Sequence, residues 1–130
     1  IKLENKIYKR IIIYFIIMPG KILHITNRND LQTIVQNHPF VIIKVGATWC
    51  GPCNRISPYV DTYFNQMPDN VILVHIDADQ GQDACAALKV KVLPTFINFI
   101  KGEQKDIYAT GDQTKVKQFF ESTLQYVKKG

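Results

Sequence analysis

Two nearly continuous apolar runs, at residues 40–45 and 71–76, constrain the fold of this chain more than any other feature of its sequence. A strand that is covered on both faces loses the alternation of polar and apolar residues and becomes a run of this kind. Apolar residues recur at helical spacing between the two runs. Strands that alternate with helices imply parallel crossover connections. The sequence therefore predicts an α/β fold that is built on a buried sheet.

The other elements complete the predicted order βαβαβαββα. We expect strands at residues 21–25, 40–45, 71–76, 95–100 and 105–108, with residues 101–104 as the turn of a closing hairpin. We expect helices after a cap at Asn27 or Asn29, after the first two cysteines, at residues 83–88 and at residues 114–127. A length of 130 residues with 46% apolar content fits one compact domain. The prediction is a central mixed sheet that is flanked by helices.

The first 17 residues are a separate segment. A basic stretch precedes an apolar run at residues 11–18, which is too short to span a bilayer because a span needs about 20 residues. The run has the size of a signal-peptide core, but no small-residue cleavage pattern follows it. We expect residues 1–17 to be an N-terminal extension, either non-native and translated from upstream sequence, or signal-like, or a genuine extra element. Residues 18–130, which start at Met18, would then be the domain.

The charge distribution argues against a nucleic-acid partner. The net charge is +5 at pH 7, and residues 1–17 hold four lysines and arginines against one glutamate. A nucleic-acid-binding protein concentrates its basic residues on one face or along one helix. The remaining lysines and arginines here are scattered over several predicted elements, so we expect no nucleic-acid partner.

The residues Cys50-Gly51-Pro52-Cys53 lie where a predicted buried strand ends and a helix begins. A helix N-terminus presents unpaired N–H groups and a partial positive charge, which favour a thiolate over a thiol. We expect Cys50 to be exposed at the tip beside Trp49, and Cys53 to be more buried. Cys50 would attack a disulfide in a partner protein, and Cys53 would then resolve the mixed disulfide.

A zinc site is the alternative for this cysteine pair. Zinc sites usually add a second pair of cysteines or paired histidines, whereas His24, His38 and His75 are far apart in the sequence. A Cys-x-x-Cys motif beside a βαβ pattern favours redox chemistry, so we expect no metal. The third cysteine, Cys85, lies in an alanine-rich helical stretch and is expected to be a small buried thiol.

Pro94 precedes a predicted strand and allows two interpretations. A proline is tolerated as the first residue of a strand, so it can simply mark the start of that element. Alternatively, a cis Leu93–Pro94 bond would hold a backbone edge beside the cysteines.

The segment ATWCGPCNRISPY at 47–59, IDAD at 76–79, VKVLPTF at 90–96 and Gly111 resemble the thioredoxin family, in particular its eukaryotic cytosolic form, over about residues 21–127. The resemblance implies a thioredoxin fold and a protein-disulfide reductase with no bound cofactor. Its electrons would come from NADPH through thioredoxin reductase. It implies that Cys50 is the nucleophile and Cys53 the resolving thiol. The residues that would form a flat rim for the substrate chain are Trp49, Gly51, Pro52, Val92, Leu93, Pro94 and Gly111.

The same resemblance sets the expected partners and compartment. Thioredoxin reductase and disulfide-containing proteins are the expected partners, the chain is expected to be a monomer without membrane attachment, and the expected compartment is the cytoplasm. The secretory pathway is the alternative if residues 1–17 are a genuine signal. Two other functions stay open: a thioredoxin-fold binding module with weak redox activity, and a secretory thiol oxidase or isomerase. Oxidases and isomerases of that kind usually carry histidine where Pro52 stands.

The chain departs from the family at Lys44, which stands where the family has a buried aspartate six positions before the first cysteine. The aspartate is thought to exchange a proton with the resolving thiol. Lys44 could thread its methylene groups through the core to water and do no chemistry. It could remain protonated and stabilise the thiolates, or burial could make it a neutral base for Cys53. Asn54 and Gly46 are two further departures.

Overall fold

The computed structural model describes residues 21–130, so the predicted extension at residues 1–17 and the predicted start at Met18 lie outside the described residues. Within residues 21–130, five strands and four helices follow one another in the order that the sequence predicts. The strands are β1 (Ile22–Ile25), β2 (Phe40–Gly46), β3 (Val71–Asp77), β4 (Thr95–Ile100) and β5 (Glu103–Ala109). The helices are α1 (Arg28–Asn37), α2 (Gly51–Asn65), α3 (Gln82–Leu88) and α4 (Gln113–Lys129).

The five strands form one mixed sheet in the order β1-β3-β2-β4-β5. Strands β1, β3 and β2 are parallel, whereas β4 is antiparallel to both β2 and β5. Every residue of β2 except the last is buried, which is the reason for its continuous apolar sequence. The predicted mixed sheet with flanking helices is confirmed.

The sheet has a hydrophobic core on each face. One face of β2, which includes Val41, Ile43 and Val45, packs with buried residues of α1 and α3. The alternate residues Phe40 and Ile42 pack with buried residues of α2 and α4 on the other face. Because side chains alternate along a strand, Lys44 lies on the face that α2 covers.

The closing hairpin is tighter than the sequence predicts. Strand β4 ends at Ile100 and β5 begins at Glu103, which pairs with Ile100. Lys101 and Gly102 alone connect the strands, both with positive φ values of 52° and 82°. The predicted four-residue turn at 101–104 was therefore wrong, because two residues with left-handed backbone already reverse the chain.

No helix within residues 21–130 is long and apolar enough to cross a membrane.

Candidate active site

The two close cysteines lie at the junction of β2 and α2. A short loop follows Gly46, and Cys50 is the N-cap residue of α2. A disulfide joins Cys50 to Cys53, and their Cα atoms are 5.3 Å apart. The Cys53 backbone N–H donates a hydrogen bond of 3.3 Å to the Cys50 Sγ atom. This donor and the N-terminus of α2 favour negative charge on the Cys50 sulfur.

Both sulfur-bearing residues are buried, which corrects one prediction. The exposed fraction is 5% for Cys50 and 4% for Cys53, so Cys50 is not exposed at the tip as the sequence suggested. The cause is packing from a distant part of the chain, since Leu93 contacts the cluster formed by the two cysteines and Ala47. A partner must therefore approach Cys50 at close range, across the residues that cover it.

Trp49 stands beside Cys50, as predicted, and its side chain is 67% exposed. Its Nε1–H group donates a hydrogen bond of 2.7 Å to Asp79 Oδ2. The sequence reasoning did not single out Asp79 as a site residue. A signal was nevertheless present, because Asp79 follows β3, and neighbouring parallel strands end at the same edge of the sheet.

Three of the predicted rim residues meet around the tip of α2. A Cβ atom built on Gly111 would lie 3.1 Å from Pro52 Cβ and 3.6 Å from Pro94 Cδ, so the backbone approaches both prolines closely. The Leu93–Pro94 peptide bond is cis, in agreement with the second interpretation of Pro94. Val92 next to it is 54% exposed. The tip of α2, the cis-proline segment and the Gly111 loop thus form one continuous surface around the disulfide.

Lys44 lies in the core near the resolving thiol. It is 7% exposed and pairs in register with His75 on β3 and Phe96 on β4. Gly46 is on the same face of β2, and a Cβ atom built there would lie 3.3 Å from Cys53 Sγ. Burial lowers the pKa of the Lys44 ammonium, and the charge of Asp61 on α2 opposes that effect.

A pair of histidines extends the row of ionisable residues from Lys44 to the edge of the sheet. His24 on β1 stacks on His75, with ring centroids 5.2 Å apart and planes inclined by 16°. Burial lowers the pKa of His75 to about 4, and the neighbouring charges of Lys44 and His24 act in the same direction. The sequence shows these residues far apart, and only the strand order brings them together.

The third cysteine lies outside this arrangement. Cys85 is partly buried rather than fully buried, and it helps to line a groove of about 320 Å³ that also includes Leu93. Burial raises the pKa of the Cys85 thiol, with a smaller contribution from the charge of Asp77. This thiol is accordingly a weaker nucleophile at neutral pH than an ordinary cysteine.

The chemistry available at the site is thiol–disulfide exchange. Two sulfurs are held within bonding distance at a helix N-terminus, beside an exposed aromatic side chain. In the part of the chain that the structure describes, no group of three or more His, Cys, Asp or Glu side chains is arranged to hold a metal ion.

Comparison with known proteins gives consistent matches. A family model described as Thioredoxin matches residues 21–122, a range that includes Lys44, the cysteine pair and the rim residues. Thioredoxin-2 of Pyricularia oryzae is 35% identical over 83 residues, which are 64% of this chain and 48% of that protein, so the chain spans about half the length of this relative. The thioredoxin of Equus caballus is 36% identical over 76 residues, which are 58% of this chain and 71% of that protein. The solved structure of a cysteine-to-serine mutant thioredoxin from Entamoeba histolytica has a TM-score of 0.71 and 32% identity, and the match covers 78% of this chain and 98% of that one.

Proposed function

This chain belongs to the thioredoxin family, and on that premise we propose that it is a protein-disulfide reductase, a thiol–disulfide oxidoreductase that acts through Cys50 and Cys53. The observation that carries the proposal is the disulfide between these residues at the N-terminus of α2. Sulfurs in that position can alternate between a disulfide and a dithiol, because the helix terminus favours the thiolate that attacks.

The first step belongs to Cys50. In the reduced protein its thiolate attacks one sulfur of a disulfide in the substrate protein, and a Cys50–substrate disulfide forms. The substrate disulfide breaks, and the departing sulfur leaves as a thiolate that takes a proton from water. The Cys53 backbone N–H, which donates to the Cys50 sulfur in the structure, stabilises the attacking thiolate.

The second step belongs to Cys53. Its thiolate attacks Cys50 Sγ, so the Cys50–Cys53 disulfide forms and the Cys50–substrate disulfide breaks. The substrate leaves with both of its sulfurs reduced, and the two electrons have come from the dithiol. The burial of Cys53 supports this assignment, because a thiol that is 4% exposed meets its neighbour more readily than a disulfide of another protein.

The rim holds the substrate chain over Cys50. Trp49 and Val92 are large exposed apolar side chains on this surface, and they supply contact area without depending on one substrate sequence. The surface also includes Pro52, Pro94 and Gly111, which are small residues packed closely together. An extended segment can therefore come within bonding distance of a buried sulfur.

The cycle needs a source of electrons outside this chain. Thioredoxin reductase would supply them from NADPH by reducing the Cys50–Cys53 disulfide, and the protein would carry no cofactor of its own. Family membership supports this assignment, and it also supports action as a monomer in the cytoplasm. A genuine signal at residues 1–17 would instead direct the protein to the secretory pathway.

The test is the reduction of insulin by the full 130-residue chain with dithiothreitol as the electron source. We expect the chain to accelerate precipitation of the insulin B chain, and Cys50→Ser to abolish the acceleration. Cys85→Ser is the matched control, because it removes a thiol outside the pair and should leave the rate unchanged. If the unmodified chain is no faster than Cys50→Ser, the protein is a binding module and not a reductase.

Recharging is tested separately. Adding thioredoxin reductase and NADPH in place of dithiothreitol should sustain insulin reduction and consume NADPH. Activity with dithiothreitol but not with the reductase would leave the disulfide chemistry in place and reject the proposed electron source.

A further inference from the structure

Lys44 is the one charged side chain among the buried residues that the structure describes, and the proposed reaction so far gives it no role. A buried charge is expensive unless it is compensated, so a lysine in the middle of a core strand calls for a physical explanation. Neighbouring positions of β2 are occupied by isoleucine and valine, which would fill the same space without that cost.

The geometry brings Lys44 next to the resolving thiol. Lys44 and Gly46 are alternate residues on the face of β2 that α2 covers, and a strand rises about 3.3 Å per residue, so their Cα atoms are roughly 6.6 Å apart. Cys53 Sγ lies directly over Gly46, where the missing side chain leaves room for it. The Lys44 side chain thus begins one strand repeat away from the Cys53 sulfur.

The groups that face Lys44 leave its positive charge largely unopposed. Asp61 on α2 is the acidic residue whose charge reaches it, His75 is its register partner on β3, and His24 lies beyond His75 on β1. Strand β4 contributes the uncharged ring of Phe96. Because the pKa of His75 lies at about 4, that imidazole is neutral at pH 7 and neither neutralises nor repels the ammonium.

No described group neutralises the Lys44 ammonium by direct contact. Lys44 forms no hydrogen bond or ion pair within residues 21–130. Burial lowers its pKa from an ordinary value of 10.5, and the charge of Asp61 acts in the opposite direction because it favours the protonated form.

We propose that the Lys44 ammonium is the electrostatic partner of Cys53, and that its charge stabilises the thiolate that resolves the mixed disulfide. This assignment rests on the proposed function, because it takes Cys53 as the resolving thiol. In this role Lys44 keeps its proton and does not accept one from Cys53. The Cys53 proton goes to water, the Cys53 thiolate forms the bond to Cys50, and the substrate sulfur leaves with the electron pair and takes a proton from water.

The experiment measures the ionisation of Cys53 alone. Cys50→Ser and Cys85→Ala leave Cys53 as the one thiol of the full chain, since the sequence has three cysteines. Thiolate formation is followed by ultraviolet absorbance against pH. The same chain with Cys53→Ser added has no cysteine, and its signal is subtracted to remove the tyrosine contribution. No substrate protein or reductase is needed, so failure of the proposed function would not be mistaken for failure of this inference.

Removing the charge should make the Cys53 thiolate harder to form. Lys44→Met keeps the length of the side chain without its charge, and it should lower the thiolate fraction at pH 7 about tenfold, because a nearby opposite charge shifts ionisation by one unit or more. In the chain that keeps Cys50, resolution of the mixed disulfide should slow by only about threefold, because a more basic thiolate is also a better nucleophile. Lys117→Met, which removes an exposed lysine of α4, is the matched control and should change neither quantity.

Two further variants keep the test decisive. Lys44→Arg retains the cation and should retain the thiolate fraction, and Lys44→Gln should reproduce Lys44→Met if the methionine variant does not fold. The inference is overturned if either neutral variant leaves the thiolate fraction within twofold of the parent chain, or raises it. It is also overturned if the arginine variant, once folded, lowers the fraction as much as the neutral variants do.

Discussion

Protonation of His75 should destabilise this protein as the pH falls below neutrality. The ring is half-buried beside Lys44 and stacks on His24, and its pKa is lowered from 6.5 to about 4. In the unfolded chain the same imidazole binds a proton near its ordinary pKa of 6.5. The unfolded state therefore holds more protons than the folded state between these two values, and the free energy of unfolding decreases as the pH falls through that window.

The magnitude follows from the two pKa values. A difference of about 2.5 units corresponds to about 3.4 kcal/mol once the pH is below both values, since one unit is worth 1.36 kcal/mol. At pH 5 the folded state is still mostly unprotonated at His75, and the same linkage relation gives a loss of about 2 kcal/mol relative to pH 8. A urea midpoint should consequently fall by about 1 M, given slopes of 1–3 kcal/mol per M for domains of this size.

Urea unfolding at pH 8 and pH 5 measures this effect when the full chain is compared with His75→Gln. Other groups also titrate in this range, but they contribute to both chains and cancel in the difference between them. We expect the chain with His75 to lose about 2 kcal/mol more than the glutamine variant on going from pH 8 to pH 5. His24→Gln is the matched control and should keep most of the pH dependence. Equal pH dependence in the parent chain and His75→Gln would refute the reasoning, because it would mean that His75 titrates normally in the folded state.

Three further predictions concern the site itself. Cys53→Ser should trap a disulfide between Cys50 and insulin that is visible on a non-reducing gel. A Cys50→Ser chain should trap none. A Cys53→Ser chain that reduces insulin at the normal rate would contradict the two-step cycle. Gly111→Val places a branched side chain where even a Cβ atom would lie 3.1 Å from Pro52 Cβ. The variant should therefore raise the KM for insulin several-fold. An unchanged KM would show that the Gly111 loop is not part of the rim. Asp79→Asn should shift the fluorescence of Trp49, the single tryptophan, because Asp79 accepts a hydrogen bond from its indole. The loss of stability should stay below about 1 kcal/mol, because both side chains are exposed. An unchanged spectrum would show that this hydrogen bond does not hold the indole in solution.

The fold could be predicted from the sequence because its strongest signals are local. The apolar runs at residues 40–45 and 71–76 show that their strands are covered on both faces, and a covered strand next to a helix requires a crossover. The Cys-x-x-Cys motif falls at the end of the first of these strands, so its position at a helix N-terminus also followed. The hairpin turn was placed less accurately, since the polar residues Glu103 and Gln104 read as loop yet pair with β4.

The environment of the site was harder to predict, because it depends on contacts between distant parts of the chain. Cys50 is buried by Leu93, a residue more than forty positions away that arrives through the connection between α3 and β4. His75 became a neighbour of both Lys44 and His24 only because β3 lies between β2 and β1 in the sheet. A sequence motif specifies which atoms react, whereas the sheet order determines which charges surround them.

The two sulfurs of the site are controlled by different parts of the fold, and this separation explains how a lysine can stand at position 44. Cys50 is activated by the backbone, through the N-terminus of α2 and the Cys53 N–H group, and neither depends on a side chain of the sheet. Cys53 instead faces β2, where Lys44 is the nearest ionisable side chain along the strand and Gly46 makes room for the sulfur. A change of charge at position 44 therefore acts on the second step of the reaction and leaves the first step nearly unchanged. The strand can carry a cation or a carboxylate without loss of the attacking thiolate, and the choice sets how readily the mixed disulfide is resolved.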